Sequence, residues 1–359
     1  MTKMYAVIMA GGTGTRFWPL STVKHPKQLL SIGTDRPLLN LTIDRIQPLI
    51  PYEKQIIITG DAIHDSVAAA AKNIPASNII SEPLRRNTAP CICLAAKIIA
   101  ERDPNAVMCV LPSDHLIEND KAFLEVLEDA GDLAARENCL ITLGIPPKYP
   151  ETGYGYIEYG EEAGVQNGRP FHQVAAFREK PDYLTAKQYI DQGNFHWNSG
   201  MFIWSIQSIL SAMETYLPEI CEAFSEIGSI DNPGTFQVEM RRIYERIEGV
   251  SIDYGVMEKA HNIYSFPADI GWNDVGSWTA LADMLEHDTD GNVSQGDTVF
   301  IDTDGCIVSA HDGVVVTIGA HDLIVVHTEK ATLVCERSKA QDIKKVFDML
   351  EAKKLKDYL

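Results

Sequence analysis

A strand pattern that runs directly into a glycine-rich loop limits the folds open to this chain. The apolar run Tyr5–Met9 predicts a buried strand. The loop Ala10–Leu20 follows at once and contains Gly11, Gly12 and Gly14. Glycine adopts positive φ values and lets a bulky ligand approach the backbone. Because successive backbone N–H groups in such a loop form a concavity for phosphate oxygens, the pattern predicts a phosphate site after the first strand.

Two cations near the loop, and the absence of two well-known motifs, limit the ligands that this loop can bind. Arg16 and Lys27 come to the same end of the strand, so loop and cations together predict a site for a nucleoside triphosphate. A Walker A loop would end in Gly-Lys-Ser/Thr, but Arg16-Phe17-Trp18 stands there. Phe17 also occupies the position of the third glycine of the dinucleotide fingerprint. For the loop alone, the alternative is a glycine-rich turn without a ligand.

Strand and helix patterns alternate over the first part of the chain, which predicts an open, Rossmann-like α/β sheet with ligands at the carboxyl ends of its strands. The predicted strands are Tyr5–Met9, Gln55–Thr59, Ala106–Leu111 and Leu140–Gly144. The predicted helices are Leu38–Leu49, Asp65–Lys72, Ala89–Glu101 and Ala122–Arg136. Further strands, predicted at Tyr154–Tyr159, Val174–Phe177 and Trp197–Trp204, extend the same sheet.

From Gly296 onward, short strand patterns recur between turn signals and predict a small β unit, either a hairpin stack or a short β-helix. These strands are predicted at Thr298–Asp302, Cys306–Ala310, Val314–Ile318, Leu323–His327 and Thr332–Cys335. A last helix is predicted from Ser338, with an apolar stripe that the chain's own body or a second subunit must cover. We therefore expect two units, residues 1–290 and 291–359.

Composition excludes several classes of partner. The 359 residues carry 31 basic and 50 acidic side chains, a net charge of −19, which argues against a nucleic-acid partner. No apolar run reaches the ~18 residues that span a bilayer, so we expect no membrane partner. The amino terminus enters a strand without a signal-peptide pattern, and the seven cysteines are scattered. We expect a cytoplasmic protein with reduced thiols.

Two aspartates are candidates for a metal site. Asp114 follows the predicted strand Ala106–Leu111, where ligands bind in such sheets. Asp274 lies in the loop before a predicted helix, and Asp269 is a nearby competitor. Mg²⁺ takes one or two protein carboxylates together with phosphates and waters. The alternatives are that Asp114 caps a turn and that Asp274 caps the helix.

A second set of polar residues has the chemistry of a sugar site. Glu179 and Lys180 end a predicted strand and reach one ligand only if the backbone turns there. The side chain of Asn198 both donates and accepts hydrogen bonds, which suits a sugar diol. Gly155 allows close approach of a pyranose ring. A surface ion pair between Glu179 and Lys180 and a simple hairpin turn at the glycine are the alternatives.

The segment Glu82–Pro90 leads into a helix whose amino terminus attracts anions. Thr88 is expected to cap this helix, and Pro90 fits its first turn. Glu82 is a candidate acceptor for hydrogen bonds from a nucleotide base. One polar residue is enough for capping, and this segment offers several.

These motifs together resemble the sugar-1-phosphate nucleotidyltransferase family, and within it the bacterial type of mannose-1-phosphate guanylyltransferases. The resemblance covers about residues 5–290, and the tail is similar too. The glycine loop with Arg16 and Lys27 marks the wider family. The mannose branch is indicated by Glu82–Pro90, Phe177–Pro181, Asn198–Phe202 and Trp272–Trp278. The resemblance implies an open, mixed, glycosyltransferase-A-like nucleotidyltransferase sheet with a small, left-handed β-helix-like unit and a terminal helix.

The same resemblance implies a reaction of GTP with α-D-mannose 1-phosphate that yields GDP-mannose and pyrophosphate, with Mg²⁺ as cofactor and a homodimer as assembly. Some relatives carry an added isomerase domain; none is expected here, so we expect one activity. Another sugar or base, or a non-catalytic regulatory role, is the alternative. The implied catalytic cations are Arg16, Lys27 and Lys180. The implied nucleotide contacts are Gly11, Gly12, Gly14, Thr15, Glu82, Asn87 and Thr88. The implied sugar phosphate contacts are Gly155, Glu179 and Asn198, and the implied metal ligands are Asp114 and Asp274.

Overall fold

The computed structural model describes residues 2–12, 14–228, 230 and 232–359, with the backbone alone at Pro233. Thr13 of the glycine loop lies outside the described residues. Within these ranges, nine strands form one sheet in the order β3-β2-β1-β4-β9-β6-β10-β8-β7. They are β1 Met4–Ala10, β2 Gln55–Gly60, β3 Ile79–Glu82, β4 Val107–Pro112, β6 Leu140–Ile145, β7 Gly155–Gln166, β8 Arg169–Glu179, β9 Phe195–Ser205 and β10 Ile263–Pro267. A separate antiparallel pair joins β5 Leu116–Ile117 to β11 Trp272–Asn273.

The sheet is mixed, as predicted. Strands β3, β2, β1 and β4 pair in parallel with one another. Strand β9 pairs antiparallel with β4, β6 and β7, and β10 pairs parallel with β6 and antiparallel with β8. The four strands predicted in the first 150 residues are confirmed. The four-residue strand β3 was missed, and Glu82 is its last residue.

Helices cover both faces of this sheet because its central strands are apolar on both sides. In β1, Ala6 and Ile8 enter one hydrophobic cluster and Val7 enters the other. Residues of α1, α2, α4 and α5 belong to the first cluster, and residues of α3, α6, α7 and α8 belong to the second. The bounds of these helices are α1 Leu38–Ile46, α2 His64–Ala70, α3 Thr88–Arg102, α4 Asp120–Arg136, α5 Tyr183–Gln192, α6 Ile206–Tyr216, α7 Pro218–Ser225 and α8 Pro233–Arg246.

The C-terminal strands form a coil of parallel strands, which decides for the β-helix-like alternative over the hairpin stack. Strands β12 Val293–Ile301, β13 Ile307–Ile318 and β14 Leu323–His327 pair in parallel, and β15 Thr332–Glu336 closes the sheet antiparallel to β14. Two predicted strands, Cys306–Ala310 and Val314–Ile318, are instead the single strand β13. Its turn signal, Gly313, has a φ of 59° and lies in an irregular part of the pairing with β12, where residues 310–313 stand opposite the single residue Gly296. Helix α9, Trp278–Ala282, precedes this unit.

The predicted last helix begins with 3₁₀ geometry at Arg337–Lys344 and continues as α10, Lys345–Ala352. Its apolar stripe is covered by the chain itself. Ile343 is buried in a third hydrophobic cluster together with Phe17 and Trp278, and Phe347 packs against the same cluster. The C-terminal unit and the glycine loop therefore share one hydrophobic core.

Two further observations concern cysteines and membranes. All seven cysteines are free thiols, and six of them are buried. Over the described parts of the chain, none of the helices combines the length and the apolar character needed to cross a bilayer.

Candidate functional site

The glycine loop is held in place by hydrogen bonds from residues that follow it. The Gln28 side chain donates to the carbonyls of Ala10 (2.8 Å) and Gly12 (3.2 Å), and the Ser21 hydroxyl donates to the carbonyl of Gly14 (2.6 Å). Gly14 has a φ of 59°, and a Cβ there would lie 2.2 Å from the Cβ of Lys27. Only glycine fits this position, because both the backbone conformation and the contact with Lys27 exclude a side chain.

The loop opens onto a cavity of about 330 Å³ at the carboxyl ends of β1 and β4. It is called the cation–aspartate cavity below, and it brings together four residues that the sequence placed far apart: Arg16, Lys27, Asp114 and Asp274. Its full lining is Gly14, Thr15, Arg16, Phe17, Lys27, Asp114, His115, Asp274, Val275, Gly276 and Lys344.

Lys27 is the buried centre of this cavity. Its ammonium donates to Asp114 Oδ2 (2.9 Å) and to the backbone carbonyl of Asp274 (2.6 Å), and only 6% of its side chain is exposed. An ammonium group has three N–H donors, so these two contacts leave one for a ligand. Lys27 thus links the loop after β4 to the loop after β11.

The two aspartates are fixed in different ways. Burial alone would raise the pKa of Asp114, but the charges of Lys27 and His115 hold this pKa below its ordinary value. Burial lowers the pKa of His115, whose Nδ1 accepts from the indole N–H of Trp272 (3.1 Å). An ionised Asp114 beside a neutral imidazole follows from these directions at neutral pH.

Asp274 is not a helix cap. Its Oδ1 accepts from the hydroxyl of Tyr154 (2.6 Å) and from the backbone N–H of Gly276 (2.8 Å), whereas Ser277 caps α9 by accepting from the N–H of Ala280. The alternative that Asp274 serves as a cap is therefore wrong.

Asp114 and Asp274 fit a metal ion that is coordinated partly by protein carboxylates and partly by phosphate oxygens. Among the residues that the structure describes, no three or more His, Cys, Asp or Glu side chains are grouped to hold a metal ion. Asp114 and Asp274 line one cavity beside a phosphate-type loop, which is the donor set that Mg²⁺ uses when a nucleotide supplies the remaining oxygens.

A second cavity, of about 220 Å³, lies on the other side of the glycine loop and is called the Glu82 cavity. It gathers five of the predicted nucleotide contacts. They are Gly11, Gly12, Glu82, Asn87 and Thr88. Gly14 and Thr15 line the cation–aspartate cavity instead, so the loop runs from one cavity to the other.

Glu82 is a hydrogen-bond acceptor whose pKa is shifted from its ordinary value. Burial raises the pKa of Glu82 to about 7, and a hydrogen bond from the Tyr244 hydroxyl to Oε1 (2.5 Å) opposes the rise. Tyr244 is itself buried, and its carbonyl accepts from Nε of Arg86 (2.7 Å). The Glu82 carboxyl group therefore has a fixed orientation in the cavity.

The cap of α3 differs from the prediction. Asn87, with a φ of 67°, is the cap, and its side chain accepts from the N–H of Thr88 (3.0 Å). The hydroxyl of Thr88 accepts from the N–H of Ile252 (2.8 Å) instead. Thr88 thus connects the Glu82 cavity to the segment that contains Asp253.

The third group of predicted residues surrounds Gly155. A Cβ on Gly155 would lie 2.7 Å from Glu179 Oε2 and 3.5 Å from the Cβ of Asn198, so these three residues are in contact. Lys180 has a φ of 42°, which is the backbone turn that two neighbouring strand residues need to reach one ligand, and its ammonium pairs with the Glu179 carboxylate. The ion pair considered as an alternative is thus present. Lys180 does not line the cation–aspartate cavity.

Comparison with known proteins agrees with this arrangement. The family model described as "Nucleotidyl transferase" matches residues 5–291, and the one described as "MannoseP isomerase/GMP-like beta-helix domain" matches residues 296–350. The chain is 37% identical over 356 residues to a mannose-1-phosphate guanylyltransferase of Escherichia coli K12, covering 98% of this chain and 74% of the relative. It is 38% identical to the mannose-1-phosphate guanylyltransferase ManC of Salmonella typhimurium, covering 98% of this chain and 74% of that relative. The chain belongs to the mannose-1-phosphate guanylyltransferase family.

Two solved structures are similar to this one. A Thermus thermophilus structure, described as a mannose-1-phosphate geranyltransferase, superposes with a TM-score of 0.87 at 33% identity, covering 98% of this chain and all of that one. A Helicobacter pylori structure, described as a mannose-6-phosphate isomerase, has a TM-score of 0.59 at 26% identity, covering 76% of this chain and 99% of that one. As a member of this family, the chain is a nucleotidyltransferase enzyme.

In this guanylyltransferase family member, four residues of the site were not predicted from the sequence: Tyr154, His115, Tyr244 and Asp253. His115 directly follows Asp114, and Tyr154 precedes Gly155, so both adjoin predicted residues. Asp253 accepts from the side-chain amide of Asn198 (2.8 Å), and burial raises its pKa. It begins a π-helical turn, Asp253–Met257, a rare geometry that is frequent at functional sites.

Proposed function

We propose that this chain makes GDP-mannose and pyrophosphate from GTP and α-D-mannose 1-phosphate. A phosphate oxygen of mannose 1-phosphate attacks the α-phosphorus of GTP in line; the new P–O bond forms as the bond from the α-phosphorus to the bridging oxygen of the β-phosphate breaks. The observation that carries the proposal is the single cavity in which two cations, Arg16 and Lys27, face two carboxylates beside a glycine loop. Catalysis then consists of positioning and charge neutralisation.

The glycine loop supports the orientation of the nucleotide. Glu82, at one end of the loop, offers a carboxylate to the N1–H and 2-amino donors of guanine. Gly14 and Arg16, at the other end, face the phosphates. Since the incoming phosphate is already ionised at neutral pH, no protein nucleophile is needed, and Arg16 and Lys27 stabilise the leaving pyrophosphate.

The group around Gly155 suits the sugar phosphate. Glu179 accepts hydrogen bonds from sugar hydroxyls, and Asn198 both donates to them and accepts from them. Asp253 orients the Asn198 amide. Lys180 exchanges its partner Glu179 for the sugar phosphate. Tyr154 connects this group to the cation–aspartate cavity, because its hydroxyl donates to Asp274 and the backbone N–H of Lys180 donates to its carbonyl (3.2 Å).

Asp114 and Asp274 would hold Mg²⁺ in the proposed reaction. The ion, when bound, neutralises charge on the phosphate oxygens of both substrates. The protein's contribution is to keep Asp114 ionised and to orient Asp274: Lys27 and His115 lower the pKa of Asp114, and hydrogen bonds from Tyr154 and Gly276 fix the Asp274 carboxylate.

A second copy of the chain is the proposed partner of the C-terminal unit. Strands β12 and β13 place Val299 opposite Val316 and Ile301 opposite Ile318, and all four side chains are at least 47% exposed. Contiguous exposed apolar side chains of this kind mark interfaces. Ile318→Asp should convert a dimer to a monomer in sedimentation equilibrium; a wild-type monomer would refute this partner.

The reaction is tested with a panel of GTP, ATP, CTP and UTP against mannose 1-phosphate and glucose 1-phosphate, with Mg²⁺ present and pyrophosphate and sugar nucleotide both measured. We expect the fastest turnover with GTP and mannose 1-phosphate. Arg16→Gln should lose this activity, while Arg242→Gln, a matched change in a surface ion pair with Glu226, should keep it.

Two outcomes would overturn the proposal. Faster turnover of another base or sugar would make the chain a sister enzyme. Binding of sugar nucleotides without pyrophosphate release from any pair would make it a regulatory relative.

A further inference from the structure

The cation–aspartate cavity receives one side chain from the C-terminal unit. Lys344 lines it together with Gly14, Thr15 and Arg16, although it lies more than 300 residues later in the chain. It ends the 3₁₀ helix Arg337–Lys344, which packs against the turn Thr15–Phe17. None of the site residues predicted from the sequence lies in the C-terminal unit.

The position of Lys344 is fixed by buried neighbours. Ala340 and Ile343 lie in the same hydrophobic cluster as Phe17, with exposures of 4% and 2%. Phe17 directly follows Arg16, so one packed cluster sets the distance between the 3₁₀ helix and the glycine loop. Lys344 itself is exposed to the cavity, and no ion pair involves it among the described residues.

The next residue behaves differently. The Lys345 ammonium pairs with Asp342 Oδ1 at 2.8 Å and does not line the cavity. Lys344 and Lys345 therefore carry the same charge on adjacent positions, but only Lys344 faces the site.

The charge balance of the cavity gives Lys344 a reason to be there. Among the side chains that line the cavity, the charges of Arg16 and Lys27 are offset by those of Asp114 and Asp274, so these four sum to about zero. Lys344 makes the cavity net positive, as an anionic ligand requires.

We propose that Lys344 binds the terminal phosphates of the nucleotide and the pyrophosphate that leaves. This rests on the proposed function, which places the base in the Glu82 cavity and the phosphates at the Arg16 end of the loop. Lys344 lines neither the Glu82 cavity nor the group around Gly155. The ligand of Lys344 is therefore the terminal phosphates of the nucleotide and not the sugar phosphate.

Kinetics in the reverse direction separate these ligands. Lys344→Gln should raise the KM for pyrophosphate about tenfold, the lower part of the range for a hydrogen bond to a charged group, because the lysine is exposed. The KM for GDP-mannose, and that for mannose 1-phosphate in the forward direction, should change less than about twofold. Lys344→Arg should restore pyrophosphate use, and Lys345→Gln should match wild type.

Calorimetric binding of Mg²⁺-pyrophosphate to the same four proteins gives a readout that does not need turnover. Weaker binding in Lys344→Gln alone supports the assignment, even if the wild type fails to make GDP-mannose and the proposed function falls. Equal binding by Lys344→Gln and Lys345→Gln overturns the assignment, even if the wild type is fully active. Thermal unfolding should be the same for both variants, because both side chains are exposed.

Discussion

Guanine binding should depend on pH through Glu82, because this carboxyl group is buried and titrates near neutrality. Its pKa is raised to about 7 by burial, against the opposing hydrogen bond from Tyr244. The proposed contact needs the carboxylate, since both guanine groups at this edge are donors. About one tenth of the Glu82 side chains are ionised at pH 6 and about nine tenths at pH 8, so the affinity for a guanine nucleotide should rise about tenfold over this range.

GDP-mannose is the suitable ligand for this measurement, because its diphosphate has no group that titrates near pH 7. Calorimetry in buffers of different ionisation enthalpy should show release of about half a proton per ligand at pH 7 and almost none at pH 8.5. Tyr244→Phe removes the hydrogen bond that lowers the pKa of Glu82, so the midpoint should move to higher pH. Tyr156→Phe is the control, because that hydroxyl donates to the carbonyl of Glu151 away from the Glu82 cavity.

The Glu82→Gln variant decides whether this carboxyl group is responsible. It should release no proton on binding and should bind GDP-mannose with the same affinity at pH 6 and pH 8. Proton release that persists in Glu82→Gln, or a wild-type affinity that does not change between pH 6 and pH 8, would refute the reasoning.

Three further substitutions test the other groups of the site. Lys27→Ala should lower kcat by ~10²–10³, because it removes the buried cation that bonds to Asp114 and to the carbonyl of Asp274; wild-type turnover in steady-state kinetics would contradict this role. Asp114→Asn should raise the Mg²⁺ concentration for half-maximal activity by about tenfold or more, and an unchanged metal titration would remove Asp114 from the metal site. Asn198→Ala leaves the buried Asp253 without its donor, so the KM for mannose 1-phosphate should rise about tenfold while the KM for GTP stays within about twofold.

The first half of the sheet could be predicted because its strands are apolar on both faces and are followed by polar loops. That pattern identified β1 and β4, and with them the loops that carry Arg16 and Asp114. Strand β3 has only four residues, which is too short for a periodic signal, so Glu82 was assigned to a loop before a helix. The long strand β13 was divided in two because Gly313 reads as a turn in the sequence, whereas in the structure it lies in an irregular part of one continuous strand.

The candidate site could be predicted where its residues follow strands, and not where they lie on packed elements. Tyr244 sits in the helix α8 with no exposed surface, so its sequence context is that of a core aromatic residue. Its functional partner, Glu82, is 162 residues away in the chain. Asp253 begins a π-helical turn, which has no sequence signature. Only its contact with Asn198 identifies Asp253 as a residue of the candidate site.

The glycine loop depends on the C-terminal unit for its rigidity as well as for Lys344. Phe17 is buried in one hydrophobic cluster with Ala340 and Ile343, and the indole N–H of Trp18 donates to the carbonyl of Tyr358 (2.9 Å). Phe17 and Trp18 directly follow Arg16, so the Arg16 guanidinium is attached to a backbone that the last residues of the chain hold in place. A glycine-rich loop loses much conformational entropy when it becomes ordered. Because one end of this loop is already packed against a shared core, less entropy remains to be lost when a ligand binds. The C-terminal unit is therefore part of the architecture of the cation–aspartate cavity.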